Sequence, residues 1–453
     1  MAAPATIHVC SACGHEAPRW AGQCPGCGEW NTLHEERRSA PARGGTRRRH
    51  AAVAPITLSA VQAESEQRLA TGIGELDNVL GGGIVPGSLI LIGGAPGIGK
   101  STLTTMALAS LLEAGRRTLY VSAEESAAQI RLRAGRLGRP AALAIPVIAE
   151  TDLDVIVATL EQERPEVCVV DSVQALHTGE LASAAGSVSQ VREAAGRIMR
   201  VAKALRIAVL LVGHVTKDGS LAGPRVLEHL VDCVLQFDGE RERTYRTLRA
   251  VKNRFGATSE AGVFEMRDDG LVEVLDASAR FVSEATRAPG SVVLCAMEGS
   301  RPLLVEVQAL VSRSELVPPR RVVTGVDRNR VALVLAVLGR HAGIGLGAAD
   351  VFVNVVGGVR IEDPGADLAV ALAVAGAVKG APLTNATGDR PLACFGELGL
   401  TGELRTVAHG DRRLAEAQKF GLTPAIHPGE HQTLRAAVTA ALKGSAGTRA
   451  IAA

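Results

Sequence analysis

Residues 93–102 read GGAPGIGKST, and the spacing Gly94-x4-Gly99-Lys100-Ser101 is one that phosphate chemistry requires. A glycine-rich backbone lets successive amides point at a polyphosphate, and a helix beginning just beyond adds the positive end of its dipole. Gly94, Ala95, Pro96, Gly97, Ile98, Gly99, Lys100, Ser101 and Thr102 are therefore the expected cradle for ATP. Lys100 supplies charge to the β and γ phosphates, and Ser101 offers its hydroxyl to Mg2+. Asp171 follows four apolar residues in PEVCVVD, as an acid on that magnesium should. Glu124 and Glu125 close the strand-like TLYVSA (118–123), where a carboxylate polarises the attacking water. His214 ends RIAVLLVGH either as a γ-phosphate sensor or as a plain loop histidine.

A second constellation opens the chain. Cys10-x2-Cys13 and Cys24-x2-Cys27 are separated by ten residues, and each pair is followed by glycine. Four thiolates at this spacing suit a closed, tetrahedral structural Zn2+ site, with an iron–sulfur site or a redox pair as the rival. The stretch holds too few apolar residues for a metal-free core, so the ion should fold it. Trp20 and Trp30, the two tryptophans of the chain, both lie here, either as contact residues or as packing. A third constellation is VKNRFGATSE. Lys252 and Arg254 alternate on a strand-like segment and can share a face. They reach a neighbour's γ phosphate, grip a DNA phosphate, or lie solvated in a basic turn.

The elements that must position these residues follow from patterning. SLILIGG (88–94) is an apolar strand, and helical stretches are expected at 102–113, 125–136 and 190–204. Alternating strands and helices imply an α/β nucleotide-binding domain with a largely parallel sheet. The chain's 453 residues, 47% hydrophobic, suffice for two or three cores. A formal charge of +2 excludes a polycation, so any nucleic-acid surface must be local or repeated around an oligomer. Aromatics make up 2% of residues, which argues against rings as the means of gripping single strands. Cys168, Cys233, Cys295 and Cys394 sit in apolar contexts and read as small core side chains. No apolar run is long enough to span a bilayer and no secretory leader opens the sequence, so a cytoplasmic protein is expected. Four segments are expected: a cysteine knuckle at 1–34, a basic flexible linker at 35–54, an ATPase domain at 55–285 and a third module at 286–453.

These residues carry a family resemblance. ATGIGELDNVLGGGIVPGSLILIGGAPGIGKST (70–102) is similar to the core of RecA-type recombinases and ring helicases. Lys252-Asn253-Arg254-Phe255-Gly256 and the four-cysteine front end resemble the RadA (Sms) family of bacterial DNA repair proteins. The resemblance implies a RecA-like P-loop ATPase core of α/β type, an N-terminal four-cysteine zinc knuckle and a C-terminal α+β Lon-protease-like domain. It assigns water activation to Glu124, with Glu125 as fallback, and the magnesium acid to Asp171. It makes Lys252 and Arg254 catalytic and puts His214 where the family uses a γ-phosphate-sensing glutamine. Lys217 and Arg225 fall in a DNA-facing loop.

In the third module the Lon-like stretch reads DPGAD, with Gly365 where a serine nucleophile would stand. Asp411, Arg412 and Arg413 occupy the region of the partner lysine, so peptide hydrolysis by that route fails. Arg405, Arg412 and Arg413 are expected on a basic, DNA-facing surface or a solvated helix face. Helices are expected at 327–339 and in the Ala-rich run, with ADVFVNVVGGVRIEDPGADLAVALAVAGAV reading as a hairpin and then that buried helix. The implied function is a DNA-dependent ATPase and ring helicase promoting branch migration in recombinational repair. Its partners are single-stranded and branched DNA, a recombinase and further copies of itself in a homo-hexamer. The rival is an ATP-switched scaffold that recruits repair proteins without translocating.

Overall fold

A computed structural model describes residues 6–10, 15–37, 57, 68–181, 183–213, 226–239, 245–385 and 387–449. Cys13, His214, Lys217, Arg225 and most of the expected linker lie outside the described residues. At the N-terminus, β1 (Thr6–Cys10), β2 (Glu16–Ala17) and β3 (Leu33–Arg37) form a small antiparallel sheet with β1 in the middle. Among the described residues, its apolar core is Cys10, Ala17, Cys24 and Leu33. Four such side chains cannot offset the entropy of ordering the segment, so its stability has to come from the thiols' ligand.

The chain divides into two compact units: Met1–Asp238 with Leu248–Thr258 and Met266–Glu273, and Gly239–Thr247 with Ser259–Glu265 and Val274–Ala453. The strands of the nucleotide-binding region are β4 (Leu89–Gly94), β5 (Thr118–Ser122), β6 (Val147–Ala149), β7 (Val167–Asp171), β8 (Ala208–Val212), β9 (Cys233–Asp238), β10 (Tyr245–Asn253), β11 (Ala261–Arg267) and β12 (Gly270–Glu273). They lie in the order β12-β11-β10-β9-β4-β8-β7-β5-β6. β4 pairs in parallel with β8 and β9, β7 with β5 and β8, and β5 with β6. β4, β5, β7 and β8 are buried along their whole length. A parallel sheet covered on both faces needs such unbroken aliphatic runs. Helices Lys100–Glu113, Ala127–Gly135 and Val188–Leu205 stand where helical stretches are expected. The second begins two residues late because Ser126 caps it, accepting from the Gln129 amide in a capping box.

The second unit is α+β. β13 (Ser291–Glu298), β14 (Arg301–Arg313), β15 (Arg321–Thr324), β16 (Ala349–Val355) and β17 (Ala393–Cys394) form a sheet in the order β15-β16-β14-β13-β17. Helix Arg328–His341 is present as expected, and helix Ala366–Lys379 is buried from Ala366 through Gly376. Its alanines let the sheet and neighbouring helices approach on every side. The expected hairpin does not form. After β16 the chain turns through Gly357 and Gly358, at φ of 85° and 81°, and Val359 and Ile361 enter the core instead of returning as a strand. No helix among the described residues is long and apolar enough to cross a membrane.

Candidate nucleotide site and metal ribbon

β4 delivers the chain to the loop 95–99, and helix Lys100–Glu113 starts directly after it. Gly97 and Gly99 hold φ of 75° and 115°, a region that side chains rarely adopt. A Cβ on Gly94 would stand 2.5 Å from the Phe237 carbonyl oxygen, so the strand end tolerates glycine alone. Lys100 is buried, its Nζ donating to the carbonyls of Gly94 at 2.8 Å and Ala95 at 3.0 Å. The ammonium is thus held inside the loop, where a polyphosphate would replace those carbonyls as its acceptor. Glycine cradle, buried ammonium and helix N-terminus together fit a nucleoside triphosphate.

Asp171 ends β7, two strands from β4, and is 8% exposed. The Tyr120 hydroxyl donates to its Oδ2 at 2.6 Å. Burial first, and then the Asp171 charge, push the phenol far above its usual range, so Tyr120 stays a neutral donor. Arg133 closes the cluster. Its Nη2 donates to the Tyr120 oxygen at 3.0 Å and to Glu125 Oε2 at 2.8 Å, and its Nη1 to Thr105 Oγ1 at 3.2 Å. Thr105 in turn donates to the Ser101 carbonyl at 2.6 Å. One guanidinium therefore links both halves of the site. The two glutamates part company here. Glu125 is tied to Arg133, whereas Glu124 accepts from the hydroxyl of Ser172, the residue after Asp171. Sequence reading missed Tyr120, Arg133 and Ser172. The available signal was a tyrosine, one of two in the chain, inside an otherwise aliphatic strand.

Lys252 and Arg254 do meet one segment together. Lys252 Nζ donates to the carbonyls of Glu228 at 2.7 Å and Val231 at 2.8 Å, at the end of helix Val226–Leu230. Arg254 Nη1 donates to Asp232 Oδ1 at 3.0 Å, on a carboxylate only 2% exposed that also receives Lys203. Asn253 and Arg68 fasten the motif to the turn after helix Gly74–Leu80, both donating to the Leu80 carbonyl. Asp232 lies beside Leu89, whose amide it accepts at 3.1 Å. Leu89 opens the strand that Gly94 closes, so the motif and the phosphate loop stand at opposite ends of β4, about 17 Å apart at roughly 3.3 Å per residue. The structure does not bring Lys252 or Arg254 to the phosphate loop of the same chain.

In the ribbon, the Sγ atoms of Cys10, Cys24 and Cys27 all lie within 4.8 Å of one another. Cys10 Sγ and Cys27 Sγ are 3.7 Å apart. Ligands at about 2.3 Å from a tetrahedral ion subtend an edge of about 3.8 Å, so the thiols fit a metal of zinc's size. The Gly26 amide donates to Cys24 Sγ at 3.3 Å, as a knuckle amide does to a thiolate. Cys168, Cys233, Cys295 and Cys394 are buried, and burial pushes the Cys233 and Cys295 thiols up to about 12. They are core side chains, not nucleophiles.

The expected basic surface of the third module needs correction. Arg413 is 2% exposed and pairs with Asp363 at 2.5 Å. It also donates to the carbonyls of Cys295 and Ala408. It cannot reach DNA, because Asp363 and the space left by Gly365 draw it inward. A Cβ on Gly365 would stand 3.0 Å from Arg413 Nη1. The glycine and the arginine thus face each other across this contact. Arg412 remains exposed, bonded to the Ser300 carbonyl, and Arg405 leans on Glu403.

A parallel sheet with this phosphate loop and acid, preceded by a cysteine ribbon, defines a RecA-like P-loop ATPase. The comparisons agree. Residues 55–220 match the AAA domain family model and residues 8–35 a rubredoxin metal-binding domain model. The chain is 46% identical to the DNA repair protein RadA of Bacillus subtilis, across 90% of this chain and 89% of that one. The DNA repair protein RadA of Pseudomonas aeruginosa is 51% identical, again across 90% and 89%. That of Escherichia coli is 47% identical across 89% and 88%. The chain belongs to the family of DNA repair protein RadA.

Proposed function

We propose that the chain is a DNA-dependent ATPase and ring helicase that promotes branch migration of recombination intermediates in DNA repair. It works in the cytoplasm as a homo-hexamer, on single-stranded and branched DNA, beside a recombinase. The observation that carries the reading is the separation of Lys252 and Arg254 from their own phosphate loop. Two cations of an ATPase motif that cannot serve their own nucleotide have a use at a neighbour's, in a head-to-tail ring.

Residues Gly94 to Thr102 hold the phosphates, with Lys100 against the β and γ groups. Ser101 and Asp171 would hold magnesium, which would supply positive charge for the transferred phosphoryl group. Glu124 takes a proton from water as the water oxygen bonds to the γ phosphorus and the bond to the β–γ bridging oxygen breaks. Support for Glu124 over Glu125 is the latter's engagement with Arg133. Lys252 and Arg254 of the next copy stabilise the charge on the γ group, and His214 senses it. Zn2+ on Cys10, Cys13, Cys24 and Cys27 holds the ribbon. The domain limits remain 1–34, 35–54, 55–285 and 286–453. The third module is a scaffold without peptide hydrolysis, since Gly365 has no hydroxyl and the Arg413 guanidinium is engaged by Asp363.

The test is ATP turnover with and without single-stranded DNA at two salt concentrations. Strong, salt-sensitive stimulation is expected. Turnover indifferent to DNA at both salts would replace the motor with an ATP-switched scaffold.

A further inference from the structure

We propose that Trp20 and Trp30 form a platform on which bases of a single-stranded nucleic acid stack. The two side chains are 59% and 67% exposed, and neither belongs to the ribbon's apolar core. The packing reading of these tryptophans is therefore excluded. Tryptophan is the most costly side chain to leave in water, and two placed together mark a contact surface.

Their placement is built, not incidental. Gln23 and Trp30 form a β-bridge, and the Asn31 amide donates to the Gly22 carbonyl at 2.8 Å. Gly22 carries no side chain, and both rings approach the space above it. A Cβ there would stand 3.5 Å from Trp30 Cζ3 and 3.9 Å from Trp20 Cη2. The two rings thus flank one small gap, with exposed Arg19 beside Trp20.

The occupant follows from charge and shape. Residues 38–50, which follow the ribbon in sequence, contain five arginines and no acid. Flat π faces on a ribbon that is followed in the chain by a run of cations suit a polymer that alternates bases with phosphates. A duplex hides its base faces in the stack, whereas a single strand offers them. An aromatic content of 2% still excludes rings as the chain's general grip. It does not exclude one site made from two rings.

The proposal rests on the reading that the protein acts on single strands, and the experiment separates the two. No other tryptophan exists in the chain, so intrinsic tryptophan emission reports this site alone. Full-length, metal-loaded protein is titrated with an oligo-dT strand, following anisotropy of a labelled strand and tryptophan emission with an unlabelled one. Emission should be quenched in step with binding. An abasic strand of equal length should bind more weakly and quench little. Trp20→Ala and Trp30→Ala should each weaken oligo-dT binding about fivefold or more while metal content stays at the wild-type value.

Binding without quenching, equal quenching by the abasic strand, or alanine variants that bind like wild type would each overturn the platform and leave the DNA reading standing. Variants that bind oligo-dT normally but lose a recombinase would assign the surface to a protein and overturn it as well. No binding of oligo-dT at all would remove the functional reading on which the platform rests.

Discussion

Tyr120→Phe removes one oxygen atom and leaves the buried ring in place. That oxygen donates to Asp171 at 2.6 Å and accepts from Arg133 at 3.0 Å. A hydrogen bond to a charged group is worth about 1.5–3 kcal/mol. At about 2–4 °C per kcal/mol for a unit of this size, the melting transition should fall by roughly 3–12 °C. If Asp171 holds magnesium as proposed, the functional loss should appear in the metal requirement. With 1.4 kcal/mol for each factor of ten, the magnesium concentration for half-maximal turnover should rise about tenfold or more. Turnover at saturating magnesium should change less, by about threefold at most. The phenol is neutral throughout the working range, because burial and the Asp171 charge hold its proton, so the pH profile should not move. The assay is ATP turnover against magnesium at several pH values, beside calorimetry. An unchanged magnesium curve with an unchanged melting transition would refute the claim that this hydroxyl positions Asp171. A lost acid limb in the pH profile would refute the neutral-donor assignment.

Lys100→Ala removes the ammonium held inside the phosphate loop and should lower turnover at least about 100-fold, with the fold intact by circular dichroism; retained turnover would move the site elsewhere. Arg413→Met strands Asp363, 5% exposed, without its partner. Calorimetry should show a loss of about 3–5 kcal/mol in the second unit, against no more than about 0.5 kcal/mol for Arg412→Ala. An Arg413→Met protein of normal stability with weakened DNA binding would reinstate the surface reading. Elemental analysis should find one zinc per chain, and chelation should unfold the ribbon first. Iron, or intact protein without metal, would reject the zinc assignment.

What was legible in the sequence depended on how local the constraint is. The phosphate loop and the cysteine pairs are short because one ligand must be met by a few consecutive residues. Asp171 could be found because a strand buried on both faces reads as an aliphatic run with an acid at its end. Arg413 could not, since its neighbours in sequence, Asp411 and Arg412, suggest a solvated helix start. Its burial is dictated by Asp363, fifty positions away in the chain. Tyr120 and Arg133 were hidden for the same reason: the strand and helix they occupy are explained fully by packing, and their polar tips gain meaning only from Asp171 and Thr105. The expected hairpin failed because the chain after β16 turns through Gly357 and Gly358 at positive φ and then buries Val359 and Ile361 in the core.

The separation along β4 turns the family motif into a question about neighbours. If Lys252 completes a site on the next copy, each active site takes Lys100 from one chain and Lys252 from another. Lys252→Ala alone should lose DNA-stimulated turnover while keeping its fold, despite leaving the carbonyls of Glu228 and Val231 without that donor. Lys100→Ala alone should lose turnover as well. Mixed in equal amounts and reassembled, the two dead variants rebuild a fraction of good interfaces. Each such interface pairs the phosphate loop of a Lys252→Ala chain with the Lys252 of a Lys100→Ala chain. Random assembly in a head-to-tail ring makes about a quarter of the interfaces of this kind. DNA-stimulated turnover should therefore return to about a quarter of wild type if interfaces fire independently, and to less if neighbouring sites must fire in sequence. A mixture as inactive as its components, although mass measurement shows mixed rings, would place Lys252 in service of its own chain. Its contact with the end of helix Val226–Leu230 would then be its whole role.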